Sequence, residues 1–132
     1  MKLTDRDIKS FNQLFEDPLN AGYVLDFTNR SMREFFESEF SIDIDNDIYR
    51  TDGNSKMKRL RSLLKQDDRE TVLRVVTRLW EHRKSIPGNV ITAQDDALYG
   101  RFIAKIQGAD SDAAAGKSPV LGSVWISKII VR

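Results

Sequence analysis

Lysine and arginine cluster at the start of a helical pattern in the middle of the chain. The cluster consists of Lys56, Lys58, Arg59, Arg61 and Lys65. Cations along one helix can contact successive phosphates of a nucleic acid or the carboxylates of an acidic partner protein. The alternative is a solvated flank that keeps a packed helix soluble, with nearby aspartates neutralising part of its charge. These five residues are our candidates for binding a protein partner or nucleic acid.

Two other patterns resemble ligand-binding loops but break the rules for them. Aspartates alternate along one loop at the spacing of the first three calcium ligands: Asp43, Asp45 and Asp47. The sixth position of that loop holds Ile48 where glycine is required, and the twelfth holds Asn54 in place of a bidentate glutamate. Residues 115–118 (AGKS) resemble the end of a phosphate-binding loop, but Pro119 interrupts the helix that should follow. We therefore predict neither a metal site nor a cofactor.

The supply of catalytic side chains is small. His82 is the only histidine and the sequence contains no cysteine, which excludes disulfides, thiolate metal sites and a cysteine nucleophile. His82 falls near the end of a predicted helix, where the helix dipole stabilises a protonated imidazole. No serine is framed by the strand-to-helix elbow that activates a nucleophile. We expect that structural role for His82, no catalytic residues, and a protein that is not an enzyme.

Two consecutive helices must position the basic cluster, and both lie in residues 53–86. Ser55 and its neighbour Asn54 can cap the first helix. Asp67 and Glu70 have the spacing of a capping box for the second helix. The apolar residues of that second helix cover an arc of about 160°, wider than the stripe of an ordinary surface helix: Val72, Leu73, Val75, Val76, Leu79 and Trp80. We therefore predict that it is the central helix of the core.

Three further helices are predicted, beginning near Thr4, at Thr28 or Asn29, and at Thr92. Residues 22–27 fit either a short strand or an extended link, and residues 41–49 fit either a strand or a loop anchored by isoleucines. The predicted fold is mainly α, a compact bundle of about five helices with at most a short two-stranded β element. The predicted core contains Phe35, Phe36, Leu60, Leu64, Val72, Val76, Leu79 and Phe102.

Composition and length set the domain organisation. With 132 residues, we expect one helical domain over residues 1–108, a small-residue polar linker over 109–119, and an apolar segment over 120–132. That last segment is either a tail or the start of a missing domain. The net charge of +1 creates no overall field toward nucleic acid or membrane. No apolar run approaches the ~20 residues of a membrane span, and no signal-peptide pattern is present, so we expect a cytoplasmic protein.

Several stretches together resemble one known pattern. They are GYVLDFTNR (22–30), Phe35-Phe36, IDID (42–45) with Tyr49, and GNSKMKRLR (53–61). This set is similar to the N-terminal modules of bacterial abortive-infection proteins of the AbiJ type, which are linked to phage defence, and the similarity spans roughly residues 5–83. The resemblance implies a sensing or adaptor module that precedes an effector, often a HEPN-type ribonuclease with an Arg-x4–6-His motif.

This chain departs from that ribonuclease motif. Three residues separate Arg78 from His82, and seven separate Arg74 from His82. We therefore carry over no ribonuclease activity and expect the effector part to lie outside this chain. Two hypotheses remain: a non-enzymatic sensing or adaptor module with a protein partner, or a small nucleic-acid-binding protein that uses the basic helix 55–65.

Overall fold

The computed structural model of the protein describes residues 3–108, and helices dominate that range. The elements are α1 (Asp5–Phe15), α2 (Asn29–Phe40), a 3₁₀ turn (Asp47–Tyr49), α3 (Lys56–Gln66), α4 (Arg69–Ser85) and α5 (Ala93–Gln107). The predicted mainly α fold with five helices is confirmed. The predicted linker and apolar segment lie outside the described residues. Within the described range, no helix is both long and apolar enough to cross a bilayer.

Local capping chemistry determines where most of the helices begin. Three threonine caps accept a hydrogen bond from the backbone N–H of the third helical residue, and the side chain of that residue accepts one from the backbone N–H of the cap: Thr4 with Asp7, Thr28 with Ser31, and Thr92 with Asp95. Ser55 caps α3 by accepting from the backbone N–H of Lys58. At the other end of the domain, α5 stops at Gly108, whose φ of 78° is the left-handed conformation that favours glycine.

The predicted capping box of α4 is wrong. The cap of α4 is Asp68, one residue later than expected, and Asp67 instead ends α3. The carboxylate of Asp67 accepts a hydrogen bond from the Tyr49 hydroxyl at 3.4 Å. Partial burial raises the pKa of Asp67, with the neighbouring charge of Asp68 acting in the same direction. The carboxylate that local spacing assigned to the start of α4 therefore makes a tertiary contact with Tyr49 instead.

The central position of α4 is confirmed by what surrounds it. Its buried residues are Val72, Val75, Val76, Leu79 and Trp80. The Trp80 ring stacks on Tyr99 of α5, with centroids 4.2 Å apart and planes inclined by 5°. Trp80 also contacts Phe15 of α1, which meets its ring edge-on with centroids 6.4 Å apart. The helix packs on more than one side, as its wide apolar arc predicted.

The ambiguous segments are extended links and loops. Residues 22–27 contribute one isolated antiparallel bridge, Glu16 with Val24, and no strand forms within the described residues. The loop at 41–46 is anchored by Ile44, which is fully buried. Seven of the eight predicted core residues are buried, and the exception is Phe35, which is half-buried. Phe35 lies at the edge of the core because its ring packs against Phe27 and His82.

Candidate functional site

The basic helix presents three of its five cations to solvent. Lys58 and Lys65 are exposed and Arg61 is half-exposed, so the predicted solvent flank of α3 exists. The ammonium of Lys65 lies 2.8 Å from a carboxylate oxygen of Asp52. Among the described residues, no carboxylate lies within 4 Å of Lys58 or Arg61 as an ion-pair partner. Those two cations are therefore the ones whose charge remains available to a ligand.

Arg59 is an internal residue, which corrects its prediction as part of a binding surface. Its side chain is only 4% exposed. Its guanidinium donates to the backbone oxygen of Asn54 at 3.1 Å, to the Asn29 side chain at 2.9 Å, and to Asp45. Arg33 donates to the second carboxylate oxygen of Asp45 at 2.7 Å. We call these five residues the Arg59 network, which joins the first turns of α2 and α3 to the loop between them.

The electrostatics of the Arg59 network are those of a satisfied internal ion pair. The hydrogen bond from Arg33, and then the charge of Arg59, hold the pKa of Asp45 below its usual value despite partial burial. Asp45 is the middle of the three alternating aspartates considered for calcium. Its carboxylate binds the two arginines Arg33 and Arg59 and, within the described residues, does not face an open site where a metal ion could bind. The sequence pattern therefore marks an arginine-binding loop.

Lys56 is also withdrawn from solvent, which corrects the second of the five candidates. The residue is 7% exposed. Its ammonium lies 3.8 Å from the centroid of the Tyr23 ring, a cation–π arrangement. Burial, and then the nearby charge of Arg59, lower the pKa of Lys56. The backbone N–H of Met57 donates to the oxygen of Gly22 at 2.9 Å, which holds the Tyr23 loop against the start of α3.

Several residues of the stretches 22–30, 42–45 and 53–61 meet in this part of the fold. They include Gly22, Tyr23, Asn29, Asp45, Asn54, Lys56 and Arg59. Each of them contacts another member of the set or a neighbouring backbone group. In this chain these residues therefore hold together the start of α2, the start of α3 and the loops next to them.

His82 lies in the last turn of α4, where the sequence placed it, and connects that helix to the link before α2. Its Nε2 lies 2.8 Å from a carboxylate oxygen of Asp26. The imidazole stacks on Phe27, with centroids 4.5 Å apart, and meets Phe35 edge-on at 5.6 Å. The hydroxyl of Ser85 donates to the backbone oxygen of His82 at 2.7 Å rather than to the ring. These contacts are those of a packed, oriented imidazole.

A groove of about 470 Å³ lies between the end of α1, the following link, and the turn that joins α4 to α5. Its apolar lining consists of Leu14, Pro18, Leu25, Ile86, Pro87 and Val90, and its acidic rim of Glu16, Asp17 and Asp26. Val90 is 72% exposed, and Leu19, next to Pro18 in the chain, is 88% exposed. Branched apolar side chains therefore stand in water at the edge of a concave surface.

Arg83 holds the walls of this groove together. One terminal nitrogen of its guanidinium donates to the backbone oxygen of Leu14 at 2.9 Å. The other donates to the carboxylate of Asp95 at 3.0 Å and lies 3.4 Å from the backbone oxygen of Val90. Both side chains of the Arg83–Asp95 pair are mostly buried. The pair therefore fixes α1, α4 and the turn before α5 relative to one another, and Asp95 neutralises the guanidinium of Arg83.

Two of the three rim carboxylates, those of Glu16 and Asp17, have no side-chain cation as a partner within the described residues, whereas Asp26 is paired with His82. Glu16 accepts a hydrogen bond from the backbone N–H of Gly22 at 2.7 Å, and Asp17 accepts one from the backbone of Leu19 at 2.9 Å. The Leu19 bond, with help from the Asn20 side chain, lowers the pKa of Asp17. Among the described residues, neither Glu16 nor Asp17 has a lysine, arginine or histidine within 4 Å. Both are available to a cationic ligand.

One of the two non-glycine residues with positive φ in the described range lies at the groove, and the other, Ser41, ends α2. Leu25 has a φ of 48°, which lies in the left-handed region that residues other than glycine seldom occupy. Its N–H donates to the oxygen of Phe15 at 2.9 Å, and the N–H of Phe27 donates to Val24 at 3.0 Å. Such conformations persist only where surrounding contacts impose them. Here they place the Leu25 side chain in the lining of the groove.

Sequence reasoning did not select the groove residues. The available signals were apolar residues directly after turns: Leu19 after Asp17-Pro18, and Val90 after Pro87-Gly88-Asn89. Neither signal shows that the two turns face each other. Comparison with known proteins adds no assignment, because no protein-family model, no curated protein and no solved structure matches this chain.

Proposed function

We propose that this chain is a non-enzymatic interaction module that binds another protein through the groove. The observation that carries the proposal is a concave surface with Val90 and Leu19 left exposed beside it. Burying apolar surface contributes about 25 cal/mol per Å², so exposed branched side chains around a concavity favour association. Apolar surface rimmed by polar groups is typical of protein-binding sites.

The resemblance to abortive-infection proteins supplies the role within this proposal. We infer a sensing or adaptor module of a bacterial phage-defence system, acting in the cytoplasm, with the effector provided by another domain or chain. The Arg83–Asp95 pair supports a binding role because it makes the groove rigid before a partner arrives. A preorganised site avoids the entropy cost of ordering its walls on binding.

The proposal of a non-enzymatic role rests on the surroundings of His82. A general base must reach the proton that it removes, directly or through one water. The imidazole of His82 is bound to Asp26 and stacked on Phe27, and Ser85 is bonded to the backbone. This arrangement stabilises the end of α4 and supplies no activated nucleophile.

A second candidate function is nucleic-acid binding through the flank of α3. The observation that favours it is that α3 contains no acidic residue, and that Lys58 and Arg61 lack carboxylate partners in the described range. The flank is small, because Lys56 and Arg59 are internal. Binding through Lys58, Arg61 and Lys65 would have a log–log salt slope of roughly −2 to −3 on duplex.

The groove is tested with the full chain and the proteins encoded by its neighbouring reading frames. Titration calorimetry compares the wild type with Val90→Asp, which places a charge in the groove. Ile48→Asp is the matched control, because Ile48 is an aliphatic residue that is 54% exposed in the 3₁₀ turn and does not line the groove. We expect at least a tenfold loss of affinity for Val90→Asp and none for Ile48→Asp. Equal affinities of the two variants would contradict the proposal.

The two functions are separated by a triple variant with Lys58, Arg61 and Lys65 changed to glutamate. We expect this variant to keep its protein partner and its fold, because exposed ion pairs contribute only about 0–1 kcal/mol each. RNA and DNA binding is measured over a range of salt concentrations. A salt-dependent, competable complex of low-micromolar affinity that is lost in the triple variant would support nucleic-acid binding instead.

A further inference from the structure

We propose that residues 120–132 of this chain bind the groove in cis, so that the module covers its own partner site. The inference rests on the proposed function of the groove and adds a form of regulation to it. A partner would then have to displace the segment before it binds. The occupant is inferred from three properties: apolar character, charge, and the length of chain that connects it to α5.

The apolar character of the segment matches the lining of the groove. Its sequence, VLGSVWISKIIVR, is composed mainly of branched aliphatic residues around Trp125. The groove offers Leu25, Ile86 and Val90, and Val90 is largely exposed in the described part of the chain. Docking would remove both sets of side chains from water, which is the dominant favourable term in association.

The charges of the two surfaces are complementary. The segment carries Lys128 and Arg132 and no acidic residue. On the rim, Glu16 and Asp17 accept hydrogen bonds from backbone N–H groups and have no side-chain cation as partner in the described range. Opposite potentials of this kind select an orientation and disfavour acidic ligands. The groove therefore suits a cationic apolar segment better than a neutral one.

The chain is long enough for the segment to return to the groove. The helix α5 has 15 residues and spans about 22 Å, from its cap next to the groove to Gly108. Residues 109–119 can extend over at most about 36–40 Å. That reach exceeds the length of α5, so residues 109–119 are long enough to bring residues 120–132 back to the groove.

The test uses the full chain labelled with 5-fluorotryptophan and observed by fluorine NMR. The protein has two tryptophans, Trp80 and Trp125, so a Trp125→Phe variant assigns both signals. Trp80 is 4% exposed and reports whether the core remains folded. The shift of each signal between H₂O and D₂O measures how exposed each indole is. In the wild type we expect a small isotope shift for Trp125, because its indole is covered. In the Val90→Asp variant we expect the isotope shift of Trp125 to rise to that of a fully solvent-exposed indole.

Charge is tested by changing the segment rather than the domain. The Lys128→Glu and Arg132→Glu double variant should release Trp125 while leaving the Trp80 signal unchanged. Lys117→Glu, between the domain and the segment, is the matched control and should keep Trp125 protected. Both variants leave residues 3–108 unchanged, so misfolding of the domain does not confuse the result.

Three outcomes would overturn the inference. The first is a free-indole isotope shift for Trp125 in the wild type. The second is a protected Trp125 that responds neither to Val90→Asp nor to the charge reversal. The third is protection that disappears on dilution, because it would identify the segment of a second copy as the occupant. If Trp125 is free but Val90→Asp still abolishes partner binding, the inference fails and the proposed function stands.

Discussion

The Arg59 network and the groove use polar and apolar residues in opposite ways. In the network, the guanidinium of Arg59 is buried, and its hydrogen bonds to Asp45, Asn29 and Asn54 are made within the domain. At the groove, Val90 stands in water beside carboxylates that have no cationic partner in the described range. A charged cluster can therefore be internal structure, while an apolar residue in a turn can be the exposed binding element.

The apolar core provides the reference for both regions. Leu79 is fully buried in α4, so Leu79→Ala should lower the free energy of unfolding by about 2–5 kcal/mol, depending on how far the cavity collapses. Urea denaturation measures this change. A loss below about 0.5 kcal/mol would mean that Leu79 lies at the surface and that α4 is not central.

Arg59→Ala should have the next largest effect. Removing one partner of a buried ion pair costs about 3–5 kcal/mol, and the partial exposure of Asp45 reduces this to about 2–4 kcal/mol. Arg33→Ala is the matched control, because Arg33 binds the same carboxylate but is 53% exposed, and it should cost about 0–1 kcal/mol. Equal losses in urea denaturation would show that Arg59 is no more structural than a surface cation.

Acid should weaken the Arg59 network. The pKa of folded Asp45 lies below its unfolded value of about 3.9, so its contribution to stability is complete above that value. The contribution is lost as the pH falls through the folded pKa. We expect Asp45→Asn to flatten the fall in unfolding free energy below about pH 4, measured by denaturation between pH 6 and pH 2. Identical acid profiles of wild type and variant would contradict the assignment.

The groove should tolerate substitution with little loss of stability. Val90→Asp and Ile48→Asp both change exposed aliphatic residues, so each should alter the free energy of unfolding by no more than about 0.5 kcal/mol. Thermal denaturation of the two variants provides the measurement. A destabilisation by Val90→Asp as large as that of Arg59→Ala would make Val90 part of the core and remove the contrast between the two regions.

Features governed by near neighbours in the chain were predictable. The caps at Thr4, Thr28 and Thr92 depend on a residue three positions away; the sequence placed those at Thr4 and Thr92 and narrowed the third to Thr28 or Asn29. The cap at Asp67 was predicted by the same rule and was wrong, because Tyr49 lies far away in the chain and competes for its carboxylate. Phe35 was assigned to the core from its helical face, but its neighbour His82 leaves it at the edge.

The candidate site was less predictable than the fold. The cations of α3 were visible as a cluster, and their spacing correctly placed Lys58, Arg61 and Lys65 on the solvent flank. The internal position of Arg59 depends on acceptors from two other segments, Asn29 and Asp45. Helical periodicity predicts which side of one helix faces the core. It does not predict which side chains of other segments will lie beside that helix and accept hydrogen bonds from it.

The sequence by itself determined the helices of this protein, most of their ends, and the face that each buries, because hydrophobic period and capping act over a few residues. Only the tertiary structure decided which charges are internal and where apolar side chains remain in water. Burial of Arg59 requires acceptors from separate segments, and the groove requires two turns about 70 residues apart in the chain to be held together by Arg83. Those distances in space depend on how all five helices pack, and no local pattern encodes them.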